Sequence, residues 1–247
     1  MKFRTEGLII KEQNIGEQDK LVHVLTKSNG VVKAFVRGAK NLKNQKCAPT
    51  SLLSYSLLTV HTGRDSYIIG DARSLKIFSK LRNDVQKMCL AQYFCELALT
   101  VCPRDRNAEK YLSLVLNSLY LIDEGKRQEL LVKPCLEMRL TAMAGYMPDL
   151  IMCPHCGKYA APLMYFYPKT GTIVCGDCAG SVADGAVELS EAALTALRHT
   201  VYAEDDKLFS FSLSDEGLAQ LNAASEAYLK YRFEKDFKTL RFYKSIA

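Results

Sequence analysis

Two periodicities divide the chain. Up to about Phe78 the apolar positions come in short β-branched runs; from Leu81 they recur at helical spacing. KLVHVLTKS (Lys20–Ser28) and VVKAFVRG (Val31–Gly38) flank Asn29–Gly30. Asn-Gly between two such runs predicts a hairpin, because a tight turn there demands positive φ at both central residues. FRTEGLIIK before this pair, and SLLSYSLLTVHT and DSYIIGDARSLKIF after it, joined at Gly63–Asp65, bring the number of predicted strands to five. Five short strands with no helix between them suit a small barrel, which closes its own edges. An oligonucleotide/oligosaccharide-binding (OB) barrel fits that count, and a sandwich uses the same pattern.

Leu90, Phe94, Leu97 and Val101 share one face of a helix that Pro103 stops. Leu112, Val115, Leu116 and Leu119 mark a second helix ending near Gly125, and Leu136, Leu140, Met143 and Met147 a third, closed by Gly145 and Pro148. Beyond residue 180, Ser190 and Ser214 are N-caps for two more helices, with Glu191, Asp215 and Glu216 in the first turns. The expected organisation is α+β: an OB-type barrel over 1–80, a helical domain over 81–149 and 181–247, and a small insert at 150–180.

The 247 residues carry a net charge of +6. Residues 1–82 hold 15 Lys and Arg against 6 Asp and Glu, while the remaining 165 hold 18 against 21. A basic end on a near-neutral body points to a polyanionic partner, nucleic acid first and an anionic membrane second. No stretch has the length of a signal sequence or a membrane span, so a soluble, cytoplasmic protein is expected.

Four of the nine cysteines are paired in sequence. MCPHCGK holds Cys153 and Cys156, and VCGDCAG holds Cys175 and Cys178. C-x2-C-x18-C-x2-C is the spacing of a four-thiolate zinc site, in which each knuckle aims two sulfurs at one ion. Gly157 and Gly180 supply permissive backbone beside the knuckles. Four sulfurs around one Zn2+ leave no open position, so the site is expected to be structural. A redox dithiol needs its first thiolate at a helix N-terminus, whereas GKYAAPLMYFYPKTG reads as a hairpin. His155 lies between two ligands and is expected at the surface. Cys47, Cys89, Cys95, Cys102 and Cys135 are scattered and behave as small hydrophobes. Phosphate-cradle, dinucleotide, hydrolase and zinc-protease motifs are all missing from the sequence, which offers no catalytic constellation.

A basic barrel followed by a helical body with a four-cysteine hairpin resembles the RecO family of DNA repair and recombination mediators. TEGLIIKEQNIGEQDKLVHVLTKSNGVVKAFVRGAK is similar to that family's amino-terminal signature, with Glu17 and Asp19 before the second strand and Arg37–Lys40 after the third. The cysteines match its zinc-bearing branch, and YLKYRFEKDFKTLRFYKSI resembles its basic carboxyl end. The resemblance implies a non-enzymatic protein that binds single- and double-stranded DNA, anneals complementary strands and associates with RecR. It also implies help in loading RecA onto DNA coated by single-stranded DNA-binding protein (SSB), whose acidic tail is contacted.

The cations expected to meet DNA are Arg37, Lys40, Lys43 and Lys46, in a loop where backbone can follow phosphates. A second cluster is Lys238, Arg241 and Lys244, in a terminal stretch whose interleaved aromatics either stack bases or pack a helix. Two other classes share these features: a zinc-containing transcription or translation factor, and a thiol-disulfide oxidoreductase working through Cys153 and Cys156.

Overall fold

The structure is a computed structural model that describes residues 2–63, 66–180 and 185–246. The chain divides by its internal contacts into two compact units, one of residues 1–124 with 237–247 and one of residues 125–236.

The first unit is built on five strands: β1 (Lys2–Ile15), β2 (Asp19–Thr26), β3 (Gly30–Val36), β4 (Ser54–Thr62) and β5 (Tyr67–Ile77). They form a barrel in the order β1-β2-β3-β5-β4, with β4 returning to β1. All neighbours are antiparallel except β3 and β5, which pair in parallel over only Ala34–Tyr67 and Phe35–Ile68. Ile9, Val22, Val24, Val32, Ala34, Val36, Leu58, Val60 and Ile69 fill the interior, the inward half of the period-two alternation. A bulge in β1 between Ile9 and Lys11 changes the register there. Without it Lys11 would point into the barrel; with it Lys11 stands outside, opposite His23.

The hairpin at Asn29–Gly30 forms, but its turn differs from the expected two-residue one. Lys27–Asn29 make a three-residue loop, and of the pair only Gly30 is left-handed, at φ 64°. The Thr26 hydroxyl donates to the Gly30 carbonyl at 2.8 Å and accepts from the Asn29 amide at 3.1 Å, which fixes this geometry. Gly30 is required for a second reason: a Cβ there would lie 2.1 Å from the Pro103 carbonyl oxygen. Arg64 and Asp65, two of the three residues expected to join the last strands, lie outside the described residues.

Helices α1 (Val85–Val101) and α2 (Glu109–Asp123) follow, and α6 (Lys238–Ile246) completes this unit. Asp84 caps α1 by accepting from the Lys87 amide at 3.0 Å. Phe237 meets Tyr93 edge-on with centroids 5.6 Å apart. The Thr239 hydroxyl donates to Glu96 at 2.6 Å, tying α6 to α1.

The second unit contains α3 (Glu129–Met143), β6 (Met164–Tyr167), β7 (Thr172–Cys175), β8 (Val187–Leu189), α4 (Glu191–Tyr202) and α5 (Asp215–Phe233). The strands form a sheet in the order β7-β6-β8, so the expected hairpin acquires a third strand. Ser190 and Ser214 cap α4 and α5 as expected, accepting from the Ala193 and Gly217 amides. The third apolar stripe runs less far than expected: α3 ends at Met143, and Met147 is exposed. The carboxyl-terminal stretch is two helices, separated where Glu234 turns left-handed at φ 46°.

Between α3 and α5 lies a buried polar knot. Lys133, inaccessible to solvent, places its ammonium 3.0 Å from Glu137, 2.9 Å from Glu226 and 3.3 Å from the Asn222 side-chain Oδ1. Glu137 also accepts from the Ser225 hydroxyl at 2.5 Å. Pro134 lacks an amide hydrogen and so leaves the Leu130 carbonyl without its helical donor; the Asn222 side-chain Nδ2 supplies one at 2.6 Å.

The knot and the hairpin glycine each set a measurable stability. Lys133→Ala leaves Glu137 buried without its cation and should cost about 3–5 kcal/mol in urea unfolding, whereas a Lys133→Met, Glu137→Leu pair should cost far less. Gly30→Ala should cost about 1–3 kcal/mol from φ strain, more if Pro103 cannot retreat, read as a lower Tm.

Candidate metal centre and nucleic-acid interface

The knuckles are turns fixed by their own backbones. The Gly157 amide donates to the Cys153 carbonyl and the Cys153 amide to the Lys158 carbonyl, both at 2.9 Å. In the second knuckle the Cys178 amide donates to the Cys175 carbonyl at 3.0 Å, and the Gly176 amide reaches the Leu163 carbonyl at 2.9 Å. Gly157 takes φ 73°, the role expected for it. Cys175 is the last residue of β7, so the β6–β7 hairpin carries the second knuckle to the first. Lys158 and Asp177 form an ion pair between them.

The four sulfurs of Cys153, Cys156, Cys175 and Cys178 all lie within 4.8 Å of one another. The cluster can hold a metal ion. Cys153 and Cys175 are buried in the apolar core of the unit with Met138, Leu150, Phe166 and Leu194, while Cys156 faces solvent and Cys178 is half-buried. His155 is exposed and contributes nothing to the cluster.

The electrostatics explain why a cation suits this place. Burial pushes the Cys153 thiol up, but amide hydrogen bonds from Cys175, His155 and Cys156 outweigh it and bring it down to about 6. At Cys178 the hydrogen-bonded neighbours Cys156 and Cys175, then burial, push the thiol up to about 12. At Cys156 the Lys158 amide favours the thiolate, but the adjoining sulfurs prevail and its pKa rises. Four thiolates this close repel one another, and a divalent cation removes that repulsion. Neither cysteine of the first pair begins a helix; residues 152–162 are turns and bends. The dipole that activates a redox dithiol is missing from this segment. By contrast, Cys95 and Cys102 are pushed up to about 12 by burial, as small core hydrophobes.

One residue bracing this centre carried no signal of its own in the sequence. Arg198 of α4 is buried, donating to the Leu150 carbonyl at 2.7 Å, to the Ile151 carbonyl at 3.0 Å and to the Tyr159 carbonyl. Its guanidinium lies 3.8 Å from the Tyr159 ring centroid. These contacts hold both sides of the first knuckle. The available clue was position: Arg198 stands four residues after Leu194, on the buried stripe of α4.

The expected DNA-contacting cations fall in two places. Arg37, Lys40, Lys43 and Lys46 lie in the loop between β3 and β4, which is a chain of turns tied to the barrel. The Gly38 amide donates to Asp19 at 2.8 Å and the Lys40 amide to the Gln18 carbonyl at 3.0 Å. Asn41 and Asn44 accept from the Lys43 and Lys46 amides. Arg37 and Lys43 are exposed, Lys46 is partly covered, and the Lys40 ammonium donates to the Gly16 carbonyl at 3.1 Å. At the tip Leu42 is 89% exposed. Lys238, Arg241 and Lys244 are exposed on α6, which belongs to the same unit. The aromatics around them divide: Phe237 and Tyr243 are buried, while Phe242 is exposed.

The comparison with known proteins accords with this arrangement. A family model described as "Recombination protein O N terminal" matches residues 1–78, and one described as "Recombination protein O C terminal" matches residues 82–241. DNA repair protein RecO of Acetivibrio thermocellus is 33% identical over 245 residues, 99% of this chain and 97% of its own length. The protein of that name from Symbiobacterium thermophilum is 30% identical over 97% of this chain and 96% of its own length. The one from Dehalococcoides mccartyi strain 195 is 26% identical over 99% and 96%. These relatives are named as DNA repair proteins, not as enzymes. A five-stranded amino-terminal barrel, a helical body with a four-cysteine hairpin and family matches along nearly the whole length lead to one conclusion: this chain belongs to the RecO family of DNA repair proteins.

Proposed function

We propose that the chain is a non-enzymatic recombination mediator. It binds single- and double-stranded DNA, anneals complementary strands and, with RecR, helps load RecA onto SSB-coated DNA, contacting the SSB carboxyl-terminal tail. Residues 1–80 are its DNA-binding barrel, 81–149 and 181–247 its helical domain, and 150–180 its metal insert. It works in the cytoplasm on the nucleoid; among the described residues no helix is long and apolar enough to cross a membrane.

The observation that carries this reading is the tethered cationic loop of Arg37, Lys40, Lys43 and Lys46 on a segment with nine excess positive charges. A loop already ordered by its own turns loses little entropy when it meets a phosphate backbone. Neutralising phosphates on two strands lowers the repulsion that slows their pairing. Lys238, Arg241 and Lys244 extend the basic surface.

The metal is one structural Zn2+. A tetrahedron with Zn–S bonds of about 2.3 Å has sulfur–sulfur edges of about 3.8 Å, and Cys156 and Cys175 are already 3.5 Å apart. With all four positions taken by thiolates, the ion would hold the knuckles together and activate no water.

Metal analysis of protein purified without added zinc should give about one equivalent per chain. An intact fold with less than about a tenth of an equivalent overturns the assignment. Cys175→Ser should release the ion and lower Tm by several degrees, since about 1 kcal/mol moves Tm by about 2–4 °C in a chain of this size.

For DNA, changing Arg37, Lys40, Lys43 and Lys46 together to Glu should weaken binding to all sequences alike. The slope of log affinity against log salt should flatten by about 0.9 for each phosphate that the loop no longer neutralises. Zinc content and circular dichroism should not change. Wild-type binding and annealing by this variant would remove the loop from the interface and leave Lys238, Arg241 and Lys244 as its core.

A further inference from the structure

The barrel has a second cationic feature, on the face away from its core. Lys11 pairs with His23, and His23 with Lys33, in direct cross-strand register on β1, β2 and β3. Directly opposed residues hold their Cβ atoms about 4.5–5.5 Å apart on one face, so the three side chains form a row. Lys11 and Lys33 flank the His23 imidazole, so two positive charges gather on one stretch of the sheet, a place that an anion stabilises.

The row leads to an opening in the barrel. Because β3 and β5 pair at Ala34 and Phe35, the first half of β3 has no strand beside it on that side among the described residues. Pro103–Asp105 fill part of this gap: the Val31 amide donates to the Pro103 carbonyl at 2.8 Å, and the Asp105 amide to the Asn29 carbonyl at 3.1 Å. What is left is a cleft of about 510 Å³ lined by Val31, Lys33, Phe35, Ser66, Tyr67 and Arg104, with Asp105 at its wall. That volume falls in the range of about 300–1,000 Å³ for small-ligand sites. Tyr67 is fixed edge-on against Phe3 at 5.9 Å, and Phe35 is partly exposed. Phe35, with Lys33 and Arg104 beside it in the same cleft, offers the chemistry that one nucleotide needs: a flat π-face and cations for a phosphate.

We infer that the cleft at the β3–β5 seam takes a single unpaired nucleotide of a nucleic acid strand, its base against Phe35 and its phosphate on Lys33 and Arg104. A paired base cannot present its face there, so the site separates single strands from duplex. His23 is the proton partner of this site. Its Nδ1 is buried and has no hydrogen-bond partner among the described residues, and Lys11, Lys33 and Arg104 act on it from β1, β3 and the segment after α1. Burial first, then those three charges, holds its pKa below the ordinary imidazole value. A bound phosphate offsets the three cations and raises that pKa, so binding takes up a proton and tightens as pH falls.

This inference rests on the proposed DNA binding, and the experiment separates the two. Fluorescence anisotropy of a labelled oligothymidylate is measured against wild type, Lys33→Glu, Phe35→Ala and His23→Asn, with a duplex and an abasic strand of equal charge as comparison probes. Phe35→Ala should lose about fivefold or more on the oligothymidylate, the worth of one stacked base, and almost nothing on the abasic strand. Lys33→Glu, an exposed change that does not endanger the fold, should weaken single-strand binding more than duplex binding. Wild-type affinity should rise several-fold between about pH 8 and about pH 6, and His23→Asn should abolish most of that rise. If wild type binds no DNA, the functional proposal fails. If wild type binds but Lys33→Glu and Phe35→Ala act equally on all three probes, the cleft is not a nucleotide site. A flat pH response in wild type removes His23 from it. An acidic peptide that displaces the strand as well as free thymidylate does would make it a general anion site instead.

Discussion

The barrel's closure through only two residue pairs of β3 and β5 is the constraint on which the rest of the first unit depends. A strand with an unpaired edge must satisfy its backbone elsewhere. The segment after α1 does this at Asn29 and Val31, and its close approach leaves no room for a Cβ at residue 30. Loop, helix exit and hairpin are thereby coupled through one glycine. The same short seam opens the barrel wall beside Lys33 and Arg104, so a gap in the hydrogen bonding becomes a cleft.

The second unit solves a different problem, that of charge inside an apolar body. Lys133, Glu137 and Ser225 are all buried, yet each charge meets a partner, and Asn222 serves both Lys133 and the carbonyl freed by Pro134. Arg139 and Arg198 are buried as well, directing their fixed donors at the carbonyls of Thr200, Ala203, Leu150 and Ile151. Arginine suits this work because its planar fork donates in several directions from one rigid group. The cysteine cluster sits beside Arg198, with two sulfurs in the core and two toward solvent, and a cation there would neutralise thiolates that otherwise repel. The segment that carries the cysteines is thus braced by a neighbouring helix.

Charge is distributed by role. The cations of the β3–β4 loop stand on turns whose amides are already bonded; Arg37 and Lys43 are exposed on this frame, while Lys40 bonds back to the Gly16 carbonyl. Those of α6 stand on a helix tied down through Phe237 and Thr239, which keeps one aromatic face inward and leaves Phe242 exposed. Both displays belong to one compact unit, which also carries the Lys11–His23–Lys33 row.

Much of this could be read from the chain alone. The alternation before Phe78 determined five strands, the spacing of Cys153, Cys156, Cys175 and Cys178 pointed to a four-sulfur cluster able to hold a metal ion, and the count of Lys and Arg over residues 1–82 located the excess of positive charge. Each is a local property, expressed over a few residues or as a simple sum. Other features depend on partners far along the chain. The bulge at Ile10 that turns Lys11 outward, the two-pair seam and the three-residue loop before Gly30 are consequences of which strands meet. Asn222 lies 89 residues from Lys133, and Arg198 lies 39 to 48 residues from the carbonyls it braces, so neither partnership is written in a local pattern. The left-handed Glu234 ends α5 before α6 begins at Lys238. Sequence determined the kinds of groups available, because periodicity and spacing are written along the backbone; only the tertiary structure decided which of them are buried, opposed or displayed, because register and packing are set by contacts between distant segments.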